Sequence, residues 1–302
     1  MKKNKHLIVI AGPTAIGKTA LGADLAKEFR TDVISADSRQ FFREMSIGTA
    51  KPSKAEMSDI THHFIGSHSI SENYNVGKFE SDVISLLDEL FLDKDVVIMV
   101  GGSGLYIDAV CKGFDELPEA DPMIREQIDA LLLDKGIEGL REKLKELDPE
   151  YYAQVDLGNP QRLSRAIEVC ISSGKTYSSL RAGRIKERNF NIIKIGLNTD
   201  RGKLYDRINE RVDRMMENGL LEEVRSLVQY KNANALQTVG YKELFDHLDG
   251  KTDLQSAVEL IRQNTRKFAK RQLTWFRRDK NMKWFEPDEK EEIIEYIKQN
   301  IF

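Results

Sequence analysis

The sequence predicts an α/β fold, a parallel sheet flanked by helices and interrupted by an all-helical insertion. Three observations carry this. Short, uninterrupted Val/Ile-rich runs read as strands buried on both faces. Helical stretches separate them, the order expected of a parallel sheet. A central segment then opens three helices with one start signal. The chain has 302 residues, 40% hydrophobic and 31% charged, which allows about two domains and a sizeable core.

In order, residues 6–10 (HLIVI), 32–36 (DVISA) and 95–100 (DVVIMV) are predicted strands, with helices over 18–29 and 76–92. Residues 115–190 read as the insertion, and 1–114 with 191–302 as the core. Asp121-Pro122, Asp148-Pro149 and Asn159-Pro160 each pair an N-cap with a proline at the first helical position. Gly136 and Gly174 fall where helix C-caps belong. Residues 191–197 (NIIKIGL) form a fourth strand, 201–281 are helical and proline-free, and the acidic stretch 286–295 is a solvated face. The first apolar run stops after five residues at Gly12-Pro13's approach and lacks a cleavage pattern, so it reads as a strand and not a leader. No run reaches the roughly 18 apolar residues of a membrane span. Two cysteines, Cys111 and Cys170, without a CxxC pattern exclude a disulfide framework and a zinc finger, and fit a reducing cytoplasm. Both are expected in the core. The adjacent His62 and His63 would diverge on a strand and do not form a metal site.

Gly12, Pro13, Thr14, Ala15, Ile16, Gly17, Lys18 and Thr19 spell GxxxxGK[ST] between a strand and a helix, the signature of a P-loop NTPase-like sheet. Backbone N–H groups turn inward around a phosphate at a helix N-terminus, Lys18 reaches the outer phosphate, and Thr19 ligates Mg²⁺. Whether a nucleotide or another diphosphate carries the phosphates stays open. A P-loop NTPase normally ends another strand in a metal-binding carboxylate; here Gly101-Gly102-Ser103-Gly104 follows the third run instead. The carboxylate Asp37 ends the second, at the sheet edge where ligands bind. It either faces the phosphate-bound molecule, caps a helix or contacts Mg²⁺; Asp200 is a weaker competitor.

Net charge is −3, yet residues 160–188 hold seven basic residues (Arg162, Arg165, Lys175, Arg181, Arg184, Lys186, Arg188) against two acids, and 260–280 hold eight against one. Such excesses are either solvated faces or the footprint of a nucleic acid, the second favoured by interleaved Phe268, Trp275 and Phe276. On a helix over 161–173, Leu163, Ile167, Cys170 and Ile171 share one face, and Gln161, Arg165 and Glu168 the other.

Taken together, GPTAIGKT, SADSRQ (35–40), IGTAKP (47–52), GGSGLY (101–106), PQRLSRAIEV (160–169), VGYKE (239–243) and KRQLTWFR (270–277) resemble the tRNA dimethylallyltransferase family over nearly the whole chain. The phosphate loop is widely shared; IGTAKP, PQRLSR and KRQ-TW-R are specific. The resemblance implies transfer of a dimethylallyl group from dimethylallyl diphosphate to the exocyclic N6 amine of the adenosine 3′ to the anticodon, with Mg²⁺. It implies an insertion that binds the anticodon stem-loop; the chain is expected to be a monomer. It assigns catalysis to Asp37, Lys18 and Ser103, and diphosphate binding to the phosphate loop with Arg207 and Arg211. It places tRNA contacts at Asp37, Ser38, Arg39, Gln40, Ser103, Arg125, Gln161, Arg162, Leu163, Ser164, Arg165, Gln237, Gly240, Tyr241, Lys242, Lys270, Arg271, Gln272, Trp275 and Arg277. Phe42 replaces a tyrosine frequent in the family and Ser103 a frequent threonine; without a zinc-finger tail the chain is similar to bacterial members. A P-loop kinase using Asp37 on Mg²⁺, and an RNA-binding NTPase without group transfer, are the alternatives.

Overall fold

A computed structural model describes residues 4–57, 59–115, 117–118, 121–181, 183 and 185–301. These divide into two compact units, Lys112–Lys186 and the remainder.

The larger unit is built on a six-stranded parallel sheet of β1 (His6–Ala11), β2 (Val33–Ser35), β3 (His62–His63), β4 (Val96–Gly101), β5 (Asn191–Leu197) and β6 (Met282–Phe285), ordered β3-β2-β4-β1-β5-β6. Its central strands are buried on both faces and sort by parity. Leu7, Val9 and Ala11 pack into one cluster with Val97 and Met99, while Ile8 and Ile10 pack into the other with Ile98 and Ile195. This is why the runs are uninterrupted rather than alternating. Two strands lie outside the sequence expectation. β3 is a two-residue strand that exists through pairing with β2, and β6 sits at the sheet edge, paired to β5.

Between these strands run α1 (Lys18–Phe29), α2 (Lys54–Met57), α3 (Val76–Asp93) and α4 (Gly104–Lys112). The smaller unit contains α5 (Pro122–Leu147), α6 (Pro149–Tyr152), α7 (Pro160–Ser173) and α8 (Tyr177–Leu180). Asp121, Asp148 and Asn159 each cap through their side chains ahead of the proline, and Gly174 closes α7 in the left-handed conformation. Gly136 interrupts α5 at φ 63, ψ −161, and the helix resumes beyond it. The unit's core gathers Ile128, Leu140, Leu144, Leu163 and Ile167.

The chain returns through α9 (Arg201–Glu217), α10 (Leu220–Ser226), α11 (Tyr241–Leu248), α12 (Leu254–Phe276) and α13 (Lys290–Ile301). The acidic stretch is therefore only partly a solvated face: α13 buries Ile293 and Ile297 against the sheet cluster while its acids face outward. Cys111 and Cys170 are both buried. No helix among the described residues is long and apolar enough to cross a membrane.

Candidate functional site

The carboxyl ends of β1, β2 and β4 converge on one edge of the sheet. From β1 the chain enters the phosphate loop, where Gly17 adopts φ 104 as N-cap of α1 and Ala15, a non-glycine residue, holds φ 64. Gly12 approaches β5 so closely that a Cβ there would lie 2.8 Å from the Leu197 carbonyl oxygen. A side chain at that position would push the loop off the sheet. The loop thus wraps a helix N-terminus whose first turn carries no acid, an environment that favours an anion.

Lys18 Nζ donates to the Pro13 carbonyl at 2.7 Å. Burial pushes its ammonium down to about 8, with Arg211 acting in the same direction and the Asp37 carboxylate opposing. Burial also lowers the pKa of the Arg211 guanidinium, again opposed by Asp37. Arg207, one turn earlier on α9, is exposed and reaches the Ile16 carbonyl at 3.4 Å. Thr19, Lys18, Asp37, Arg207 and Arg211 line a cavity of about 760 Å³. Ile16 contributes backbone only, its side chain being fully buried.

A second cavity of about 880 Å³ is lined by Ser38, Arg39, Ser103, Gln237, Gly240, Lys242, Arg271 and Trp275. Five residues line both cavities: Thr14, Asp37, Arg211, Met215 and Gln272. β4 stands between β1 and β2, and it ends without a side chain to obstruct the junction: a Cβ on Gly101 would lie 2.3 Å from the Ala36 carbonyl oxygen. Asp37 Oδ1 accepts the Arg39 N–H at 3.1 Å, and Ser103 Oγ accepts the Ser38 N–H at 2.9 Å. Asp200 is the N-cap of α9, accepting from Gly202 and Lys203, and so drops out as a competitor.

Several residues expected at the RNA surface have other roles. Leu163 and Tyr241 are 0% exposed. Leu163 belongs to the helical core of its unit, and the Tyr241 hydroxyl donates to Glu223 Oε1 at 2.7 Å. Gln40, nearly buried, spends its amide on the carbonyls of Thr49 and Ala50. Gln272, 6% exposed, bridges the Thr14 N–H and the Gly102 carbonyl. Arg39 donates to the carbonyls of Asn234 and Ala235. Motif membership marked all five, but motifs do not distinguish an inward side chain from an outward one.

Glu168 corrects the helical-face expectation. It is 1% exposed because Arg165 covers it at 2.8 Å and Arg125 at 3.4 Å. Arg165 also donates to the Pro118 carbonyl. A buried carboxylate needs such partners, and it fixes both guanidiniums in return. Ile171, assigned to the apolar face, is 39% exposed.

Part of each basic segment is engaged within the protein. Arg188 is half-buried in an ion pair with Glu80, Arg262 pairs with Asp213 and Glu259, and Arg266 pairs with Glu259. Arg184 lies outside the described residues. Still exposed are Arg162, Lys175, Arg181 and Lys186 in one segment and Lys267, Lys270, Arg271, Arg277, Arg278 and Lys280 in the other. Gln161 is exposed and Ser164 half-buried beside them.

Glu223, on α10, carries no motif signal, yet it organises residues 46–50. Its carboxylate accepts from the backbone N–H groups of Ser46, Ile47 and Gly48 at 2.9, 2.7 and 3.0 Å. Gly48 is required there, since a Cβ would come within 2.5 Å of the Tyr241 ring. Ser46, Ile47 and Ala50 line the first cavity, Gly48 and Thr49 the second.

Residues 40–279 match the IPP transferase family model. The chain is 55% identical to a tRNA dimethylallyltransferase of Christiangramia forsetii, covering 99% of each chain, and 53% identical to that of Flavobacterium johnsoniae, covering 98% of each. Among solved structures it resembles the full-length tRNA isopentenylpyrophosphate transferase of Bacillus halodurans, with a TM-score of 0.74 at 36% identity, covering 99% of this chain and 97% of that one. A eukaryotic dimethylallyltransferase crystallised acting on tRNA aligns with a TM-score of 0.78 at 25% identity, over 94% of this chain and 74% of that one. With the family model spanning most of its length and such relatives spanning nearly all of it, the chain belongs to the IPP transferase family.

Proposed function

We propose that this chain is a tRNA dimethylallyltransferase: it moves the dimethylallyl group of dimethylallyl diphosphate onto the N6 amine of the adenosine 3′-adjacent to the anticodon and releases diphosphate. The observation that carries this reading is the pair of cavities meeting at Asp37, one lined by a phosphate loop and its cations, the other opening among residues of α11 and α12.

The diphosphate lies on the phosphate loop, with Lys18 and Arg211 against its oxygens and Arg207 steadying the loop. As the allylic C–O bond breaks, negative charge grows on the leaving diphosphate, and these fixed cations stabilise it. The adenine leaves its stack to enter the second cavity. Its amine attacks the allylic carbon, a C–N bond forms, and the amine proton passes to Asp37, which faces both cavities. Ser103 and Ser38 hold the loops that present Asp37 and contact the base.

Mg²⁺ fits the donor chemistry of the first cavity. The Thr19 hydroxyl that lines it is a hard oxygen. The described residues contain no cluster of three His, Cys, Asp or Glu side chains that could hold a metal, so the ion would share its shell with diphosphate oxygens and water, the usual arrangement for this metal. Bound there, it would supply further charge neutralisation to the leaving group.

Recognition of the anticodon stem-loop falls to the exposed cations Lys270 and Arg271 on α12 and Arg277 at its C-cap, to Gln237, Gly240, Lys242 and Trp275, and to Arg125, Gln161, Arg162, Ser164 and Arg165 of the smaller unit. Phosphate contacts of this kind fix register, while unstacked bases carry sequence. Incubating the protein with dimethylallyl diphosphate labelled in its prenyl carbons and unmodified tRNA tests the reading: label enters tRNA. Labelled tRNA failing to appear while ATP is hydrolysed would favour an NTPase.

A further inference from the structure

We infer that Gln272 is a positioning residue for the transfer step, one whose carboxamide locks the phosphate loop to the glycine loop after β4 and so sets the separation between donor and amine. Its Oε1 accepts the Thr14 N–H at 2.9 Å, and its Nε2 donates to the Gly102 carbonyl at 2.9 Å. The side chain lines both cavities, so this bridge forms part of the wall at which the two substrates meet. An amide both accepts and donates in one plane and stays uncharged at neutral pH, where a carboxyl would ionise, and a neutral group beside a diphosphate adds no repulsion.

The glycine loop is shaped for this contact. A Cβ on Gly102 would lie 2.3 Å from Gln272 Nε2, so the amide reaches the carbonyl because the side chain is absent. One turn further along α12, Trp275 packs as closely on Gly104, and its indole N–H donates to Asp108 Oδ2 at 3.0 Å. Two side chains at i and i+3 therefore dock α12 onto the glycine loop, and the first extends through to the phosphate loop. Ser103, between those glycines, holds the backbone of Ser38 beside Asp37. Phosphate loop, amine-facing carboxylate and the helix bearing Lys270 and Arg271 are thus joined through one amide. A misplacement of about 1 Å between reacting groups costs on the order of 10² in rate.

This inference rests on the prenyl-transfer reading above. It is tested by comparing the native protein with Gln272→Glu and Gln272→Met in single-turnover prenyl transfer across pH, alongside tRNA binding. An ionised Glu accepts from Thr14 but has nothing to donate to Gly102; a protonated one restores both bonds. Met keeps the volume and makes neither. Both variants should lose about 30-fold or more in rate at neutral pH, with tRNA affinity within about twofold of native. Relative to native, the Glu variant should recover at least about fivefold as pH falls toward roughly 5.5, while Met does not recover. A native rate in the Met variant, a Glu deficit independent of pH, or a loss confined to tRNA affinity would overturn the inference. Amide exchange at Thr14, measured without substrates, separates it from the reading it rests on: Met should accelerate that exchange about tenfold or more, whether or not prenyl transfer is the reaction, and unchanged exchange would refute the bridge.

Discussion

Replacing Asp37 by Asn removes one negative charge at the wall between the two cavities and little else. The side chain's Oδ1 accepts the Arg39 N–H at 3.1 Å, a bond that the Asn carbonyl oxygen preserves, so the melting temperature should stay within about 2 °C of native. The charge matters to its neighbours: the carboxylate favours the charged forms of both Lys18 and Arg211 against the effect of their burial. Without it the first cavity becomes more positive overall, and an anionic donor should bind as well as before or better. Proton acceptance from the amine is lost. A positioned acid–base group contributes about 10² to 10⁴, so turnover should fall by at least about 10², near 2.7 kcal/mol of barrier. Rapid-quench single-turnover transfer, with donor binding measured separately by calorimetry, resolves the two effects. If Asp37 serves Mg²⁺ instead, donor binding weakens in the variant and raised Mg²⁺ restores the rate; that outcome would refute the amine role.

Lys18→Ala should abolish productive donor use while tRNA affinity measured by filter binding stays nearly native, because Lys18 lies outside both basic segments. In the unmutated protein, kcat/KM for the donor should fall as pH rises through about 8, where burial makes Lys18 lose its proton; the bound diphosphate restores that proton, so kcat should fall at higher pH than kcat/KM. Affinity for tRNA should drop steeply with salt, and Lys270→Ala or Arg162→Ala should each flatten the log–log slope by about 0.7–0.9. Arg165 is a poorer probe, since removing it strips a partner from the buried Glu168 and destabilises the smaller unit. Glu223→Ala should cost about 2–3 kcal/mol of stability and speed amide exchange at Ser46, Ile47 and Gly48, with the donor KM raised through the loosened loop.

What the sequence made legible follows from where its signals originate. The central strands announced themselves because burial on both faces leaves no polar alternation, and the bounds of β5 and α1 coincide with the expected ones. The three Asp/Asn-Pro starts were readable because N-capping is local chemistry. β3 was not readable: two histidines form a strand only because β2 lies beside them. Glu168 looked solvated because a helical wheel of α7 knows nothing of Arg125 arriving from α5. At the site, the phosphate loop and Asp37 stood out through strand-end placement, whereas Glu223 could not, since its importance lies in three backbone N–H groups of a distant loop. Tyr241 and Gln272 were visible as motif letters but not as a buried clamp and a bridge.

In the proposed mechanism the phosphate loop holds a prenyl diphosphate and Asp37 faces an adenosine amine across the shared wall. Its most direct test is one incubation: unmodified tRNA and dimethylallyl diphosphate labelled in the prenyl group, with ATP hydrolysis followed in parallel. Label should appear in tRNA, on N6 of the adenosine 3′ to the anticodon after nuclease digestion, with one diphosphate released per transfer and no dependence on ATP. ATP turnover with unlabelled tRNA would contradict it.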